Sequence, residues 1–192
     1  MSTAAPTAPP SSASPLMTGE EFVLIDGHEQ MALIEGVLVK EPDMPSVTHG
    51  EICLNVGGEL RQFVKANKLG RVCGNDTSLR LKRNPDTVRG PDVCYFSTGR
   101  MPPGQRLEGV TDVIPELVIE VRSPSNTWAV LLAKVALYLE AGVTAVIVVV
   151  PEDETATVYR LNEFHQTFHN GDVVELPDVL PGFAVPLKRF FE

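Results

Sequence analysis

Pro115-Glu-Leu-Val-Ile-Glu120-Val-Arg-Ser-Pro-Ser125, with the apolar segment that follows it to Val150, decides the fold of this 192-residue chain. Residues 117–121 form a nearly continuous apolar run, the pattern of a strand buried on both faces. Residues 127–141 read as a helix, with Ser125 or Asn126 available to cap its start and Gly142 its end. Residues 144–150 are a second fully apolar strand. A strand–helix–strand unit of this size implies a right-handed parallel crossover. Working upstream, residues 72–82 and 88–96 read as strands separated by an Asn84-Pro85-Asp86 turn. Residues 48–68 read as a helix, because Ile52, Val56, Leu60, Phe63 and Val64 recur at helical spacing. Gly57-Gly58 inside it costs about 1 kcal/mol each relative to Ala, which implies close packing there. Residues 20–25 suit a short helix. Residues 32–39, interrupted by Glu35-Gly36, suit a strand pair or a bent strand. Downstream, residues 155–161 alternate and belong nearer a sheet edge, and residues 181–191 close the chain. The expected architecture is α/β: a mixed β-sheet flanked by helices.

Residues 1–16 are rich in Pro, Ser, Ala and Thr, without hydrophobic period, and read as a disordered tail. Residues 17–192 suit one domain with a real apolar core. The first Lys or Arg is Lys40, so the start lacks the basic region of a signal peptide. The longest apolar runs, such as 143–150, are too short to span a bilayer. Cys53, Cys73 and Cys94 are odd in number and widely spaced, against a disulfide framework or a zinc knuckle, so a reducing cytoplasm is expected. The net charge of −9 opposes broad phosphate binding. A local basic patch is still available from Lys65, Lys68, Arg71, Arg80, Lys82, Arg83 and Arg89, although scattered surface charge is the plainer reading. Acidity also suits carboxylates gathered around a metal ion.

Three charges stand where a core should be apolar. Glu120 interrupts the 117–121 run, and a buried carboxylate without a partner is expensive. Arg122 shares its face, so a structural Glu–Arg pair is one reading. Lys134 is the sole charge in residues 129–139 and must either snorkel to water or meet a carboxylate. Asp92 follows Gly90-Pro91 and opens the strand 93–96; it is either a turn residue or a ligand. Two carboxylates on neighbouring strands suit Mg²⁺ or Mn²⁺, and a nearby lysine suits a metal-bound water. Thr48-His-Gly-Glu51 reads as a capping box, in which Thr48 bonds forward and Glu51 back. His49 is freer, and suits either a metal-bound water or a phosphate at the helix N-terminus.

Together these residues resemble the PD-(D/E)XK nuclease superfamily, and within it the Uma-two family of bacterial endonucleases. The resemblance runs from about Glu20 to Phe191. Its pieces are Ser46-Val-Thr-His49, Gly70-Arg-Val, Arg89-Gly-Pro91-Asp92-Val93, the 115–125 segment quoted above, Lys134 with Tyr138, Gly142-Val143, and Leu180-Pro-Gly-Phe183. It implies a restriction-endonuclease-like core with Asp92 and Glu120 as metal ligands, a characteristic histidine at His49, and Lys134 as the motif lysine moved onto the helix. Two departures stand out. Arg122 fills the usual lysine slot, and arginine cannot act as a base. Val150 and Ile147 replace an aspartate and a tryptophan usual in such proteins.

The expected function is a Mg²⁺- or Mn²⁺-dependent endonuclease acting on nucleic acid, DNA foremost, as a homodimer. Asp92 and Glu120 bind the ion, Lys134 aligns water or stabilises charge, Arg122 contacts phosphate, and Glu51 is an additional candidate ligand. One rival is a catalytically weakened nuclease-fold module with a binding or regulatory role, which the acidic charge and Val150 favour. A carboxylate-pair glycosidase is the other; it would call for aromatic platforms that one Trp and three Tyr hardly supply.

Overall fold

A computed structural model describes residues 15–40 and 46–192. The disordered-tail reading of 1–16 therefore lies, apart from Pro15 and Leu16, outside the described residues. In chain order the elements are α1 (Gly19–Phe22), β1 (Met31–Ile34), β2 (Val37–Lys40), α2 (Val47–Ala66), β3 (Gly70–Gly74), β4 (Leu79–Lys82), β5 (Thr87–Arg89), β6 (Val93–Ser97), β7 (Leu117–Val121), α3 (Trp128–Glu140), β8 (Ala145–Val150), β9 (Thr155–Tyr159), β10 (Gln166–Phe168), β11 (Val173–Leu176) and β12 (Leu180–Pro186). A six-stranded sheet has the order β10-β9-β8-β7-β6-β3. Within it β7 and β8 are parallel, joined through α3, while the other neighbours are antiparallel. This is the mixed sheet that the apolar runs imply.

Alternation along these strands divides the core in two. One face carries Val93, Tyr95, Leu117, Ile119, Val121, Ile147 and Val149 against Ile52, Val56, Leu60 and Val64 of α2. The other carries Cys94, Phe96, Val118, Val146, Val148 and Val150 against Leu131, Val135, Tyr138 and Leu139 of α3. Glu120 has the parity of the second face, so its carboxylate is committed to the side covered by α3.

Several local expectations are corrected. The two long strands 72–82 and 88–96 are each broken: β3 and β6 stay in the large sheet, while β4 and β5 join a four-stranded sheet of order β2-β1-β5-β4. Pro91, which has no N–H to continue a ladder, lies at one break. Gly90 lies beside it, and a Cβ there would meet Asn75 O at 3.0 Å. The strand pair expected as one reading of residues 32–39 does form, as a hairpin whose turn, Glu35-Gly36, has positive φ at both positions. The Thr48–Glu51 capping box does not form, because α2 starts earlier: Ser46 is its cap, accepting from the His49 N–H. Thr127, rather than Ser125 or Asn126, caps α3. Close packing at the glycine pair holds for Gly57, whose Cβ would lie 3.6 Å from Val93, but fails for Gly58, which faces open space.

Candidate functional site

The site grows from the register of two neighbouring strands. Val93 pairs with Ile119, so one step further along Asp92 stands at the level of Glu120. Asp92 is held there by the Val121 N–H, which donates to its Oδ2 at 2.7 Å. Glu120 is 4% exposed, and burial without compensation would expel such a charge. Its compensation comes from α3. The Tyr138 hydroxyl donates to Glu120 Oε1 at 2.8 Å, and Lys134 Nζ lies 3.7 Å from Oε2. Lys134 and Tyr138 are one turn apart on the helix, which is why one face delivers both. Lys134 is buried rather than snorkelling, and Glu120 takes Lys134, not Arg122, as its ion-pair partner.

Burial pushes the Glu120 carboxyl up to about 7 and Asp92 adds to the rise, while Lys134 and the Tyr138 hydrogen bond oppose it. Between its ordinary value of 4.5 and about 7, this carboxyl binds more protons folded than unfolded. Its contribution to stability is complete below that range and is lost as pH rises through it. In metal-free protein, thermal unfolding from pH 5 to 8 should therefore show the Tm of Glu120→Gln gaining on wild type by at least about 3 °C. A constant gap would refute the shift.

On the α2 side His49 reaches the same carboxylate, its Nε2 3.3 Å from Asp92 Oδ2. The hydrogen bond to Asp92 raises the His49 pKa against the opposing effect of burial. Cys53, one turn along α2, places Sγ 3.5 Å from His49 Nδ1. These residues line a cavity of about 500 Å³ between α2 and β3.

The structure thus gathers Asp92, Glu120, Lys134 and His49. It does not gather the other two candidates. Glu51 is exposed on the first turn of α2, outside the His49–Cys53–Asp92 group. Arg122 pairs with Glu152 at 3.3 Å and lies over the Trp128 ring. The scattered reading of the basic residues is the better one for Arg80, Lys82 and Arg83, which are engaged with carboxylates: Arg80 is buried among Glu20, Asp86 and Asp112, Lys82 pairs with Glu35, and Arg83 with Asp112. Two residues escaped the sequence reading of the site. Arg89 lies close enough to lower the Glu120 pKa, and its signal was its place in Arg89-Gly-Pro91-Asp92. Cys53 had only its spacing of four from His49.

The oxygen donors of Asp92 and Glu120 fit a hard divalent cation: the two carboxylates stand in register on neighbouring strands, and the charge of Asp92 raises the Glu120 pKa, a repulsion that a cation would relieve. Among the described residues no helix is long and apolar enough to cross a membrane.

Comparison with known proteins agrees with this architecture. No curated protein sequence matches the chain. A solved structure from Anabaena variabilis ATCC 29413, described as "a putative nuclease belonging to DUF820", superposes with a TM-score of 0.78. It shares 21% identity and the match covers 91% of this chain and 97% of that one, so the two have the same fold. The family model named Uma2, described as "Putative restriction endonuclease", matches residues 20–188. That span takes in every strand and helix that builds the site, and the chain belongs to the Uma2 family.

Proposed function

We propose that this protein is a metal-dependent endonuclease that hydrolyses phosphodiester bonds of nucleic acid, with DNA the first substrate to test. The observation that carries the reading is the buried Glu120 carboxylate, held by Lys134 and Tyr138 and standing in strand register beside the half-buried Asp92. Asp92 and Glu120 would hold Mg²⁺ or Mn²⁺. When bound, such an ion supplies neutralising charge at a phosphate and acidity to water. Lys134 brings a cation to Glu120 and would stabilise charge developing on the phosphate. Tyr138 fixes the Glu120 carboxylate through its hydroxyl. His49, hydrogen-bonded to Asp92, is a proton acceptor or donor at the edge of the cavity. Arg122, engaged with Glu152 and Trp128, is assigned to phosphate contact rather than chemistry.

Purified protein incubated with plasmid and single-stranded DNA should cleave with Mg²⁺ or Mn²⁺ and not with EDTA. Inert protein under every condition would instead favour the binding-module reading. The same proposal includes a homodimer, since symmetric pairs are the commonest assembly and suit cutting of both strands. Light scattering should give about twice the 20.9 kDa chain mass; the chain mass itself at micromolar concentrations would refute the dimer.

A further inference from the structure

We infer that His49, Cys53 and Asp92 form a binding site for a thiophilic divalent ion such as Zn²⁺, and that its occupation inhibits the hard-cation site by withdrawing Asp92 from it. The inhibition rests on the function proposed above; the binding does not.

The three ligand atoms lie within 4.8 Å of one another. His49 Nε2 is 3.3 Å from Asp92 Oδ2 and 4.0 Å from Cys53 Sγ. With Zn–N and Zn–O near 2.0 Å and Zn–S near 2.3 Å, ligand pairs in a tetrahedral site stand about 3.3–3.6 Å apart. The His49–Asp92 separation already matches that bite, the His49–Cys53 separation of 4.0 Å exceeds it by about half an ångström, and Cys53 lies within 4.8 Å of Asp92, so modest side-chain adjustment closes the site. Backbone geometry supplies the arrangement: His49 and Cys53 are four apart on one face of α2, and the Val121 N–H anchors Asp92 opposite them. All three line the cavity beside α2, and Gly50 lies between the two helical ligands. A Cβ at Gly50 would meet nothing within 4 Å, so the approach is open. Three protein ligands leave a fourth position for water.

The chemistry separates this site from the carboxylate pair. Imidazole and thiolate select Zn²⁺ or Co²⁺, whereas Mg²⁺ wants oxygen. On binding, the Cys53 thiol and the His49 Nε2–H give their protons to solvent, and the freed lone pairs coordinate the ion. Asp92 belongs to both sets, so the soft ion and the hard ion compete. The other two cysteines are not part of this group. Cys73 and Cys94 are free thiols in register across β3 and β6; Cys94 is buried in the α3-side core, and Cys73 packs against it and also lines the cavity, which is why Cys73→Ser is the control.

Co²⁺ added to the full-length reduced protein is the direct test. Wild type and Cys73→Ser should develop thiolate-to-cobalt charge-transfer absorption in the near ultraviolet, and Cys53→Ser should not. Competition against a chromophoric chelator should show Zn²⁺ affinity falling at least about tenfold in Cys53→Ser. Cys53→Ala with a wild-type circular-dichroism spectrum guards against loss through misfolding. Absence of the thiolate band in wild type, or its persistence in folded Cys53→Ser and Cys53→Ala, overturns the site whatever the cleavage result. In cleavage assays, Zn²⁺ should inhibit Mn²⁺-supported turnover of wild type, and at the same Zn²⁺ concentration Cys53→Ser should lose a smaller fraction of whatever Mn²⁺-supported rate it has. A Cys53-dependent band in a protein that cleaves nothing would keep the zinc site and defeat only the nuclease reading. Equal inhibition of wild type and Cys53→Ser would overturn the competition.

Discussion

Replacing Asp92 or Glu120 by alanine is expected to abolish Mn²⁺ binding and to reduce cleavage by at least about a thousandfold, the upper scale for losing a principal electrostatic stabiliser. The two variants should differ in stability. Glu120 is buried with its carboxyl pushed up to about 7, so Glu120→Ala removes a desolvation cost, although it leaves Lys134 without that partner. Asp92→Ala strips the Val121 N–H of its acceptor and His49 of its ion-pair partner, and should be the less stable of the two. Calorimetric titration with Mn²⁺, run beside plasmid nicking, measures both effects. Undiminished metal binding in both variants would defeat the assignment of ligands.

Lys134→Met is the second large expected effect. Methionine keeps the helix and most of the apolar stem but removes the ammonium. Folding and Mn²⁺ binding should survive, because the carboxylates remain in place. Cleavage should fall by at least about a hundredfold, as expected when one positioned cation is lost. Arg122→Met should act mainly on substrate affinity, raising KM more than it lowers kcat, since Arg122 is held by Glu152 and Trp128 away from the carboxylate pair. Single-turnover rates for the two variants decide between them. A wild-type rate for Lys134→Met with a dead Arg122→Met would reverse the roles.

The sheet and its crossover were legible because strand 117–121, helix 127–141 and strand 144–150 carry period and length that few other arrangements satisfy. Glu120 and Lys134 were legible for the same reason: each is a charge set against an apolar background. Their meeting was legible from topology and from the resemblance rather than from periodicity: a right-handed crossover returns α3 over the strand that carries Glu120, and the resemblance puts the motif lysine on that helix, 14 residues on. The capping box at Thr48 failed because Ser46 offers an equivalent cap two residues earlier, and local pattern does not choose between them. The two long strands failed because the turn formers Asn75-Asp76-Thr77-Ser78 and Gly90-Pro91-Asp92 were read through as strand, whereas the backbone changes sheets at both places. Cys53 stayed hidden because its neighbour in space, Asp92, comes from another element altogether.

Crystals soaked in Mn²⁺ and measured at the manganese absorption edge would test the central claim most directly. The expected result is an anomalous peak about 2.1 Å from carboxylate oxygens of both Asp92 and Glu120, with Lys134 and Tyr138 beside it. An empty position there in protein that still cleaves with Mn²⁺, or a peak confined to surface carboxylates, would contradict it.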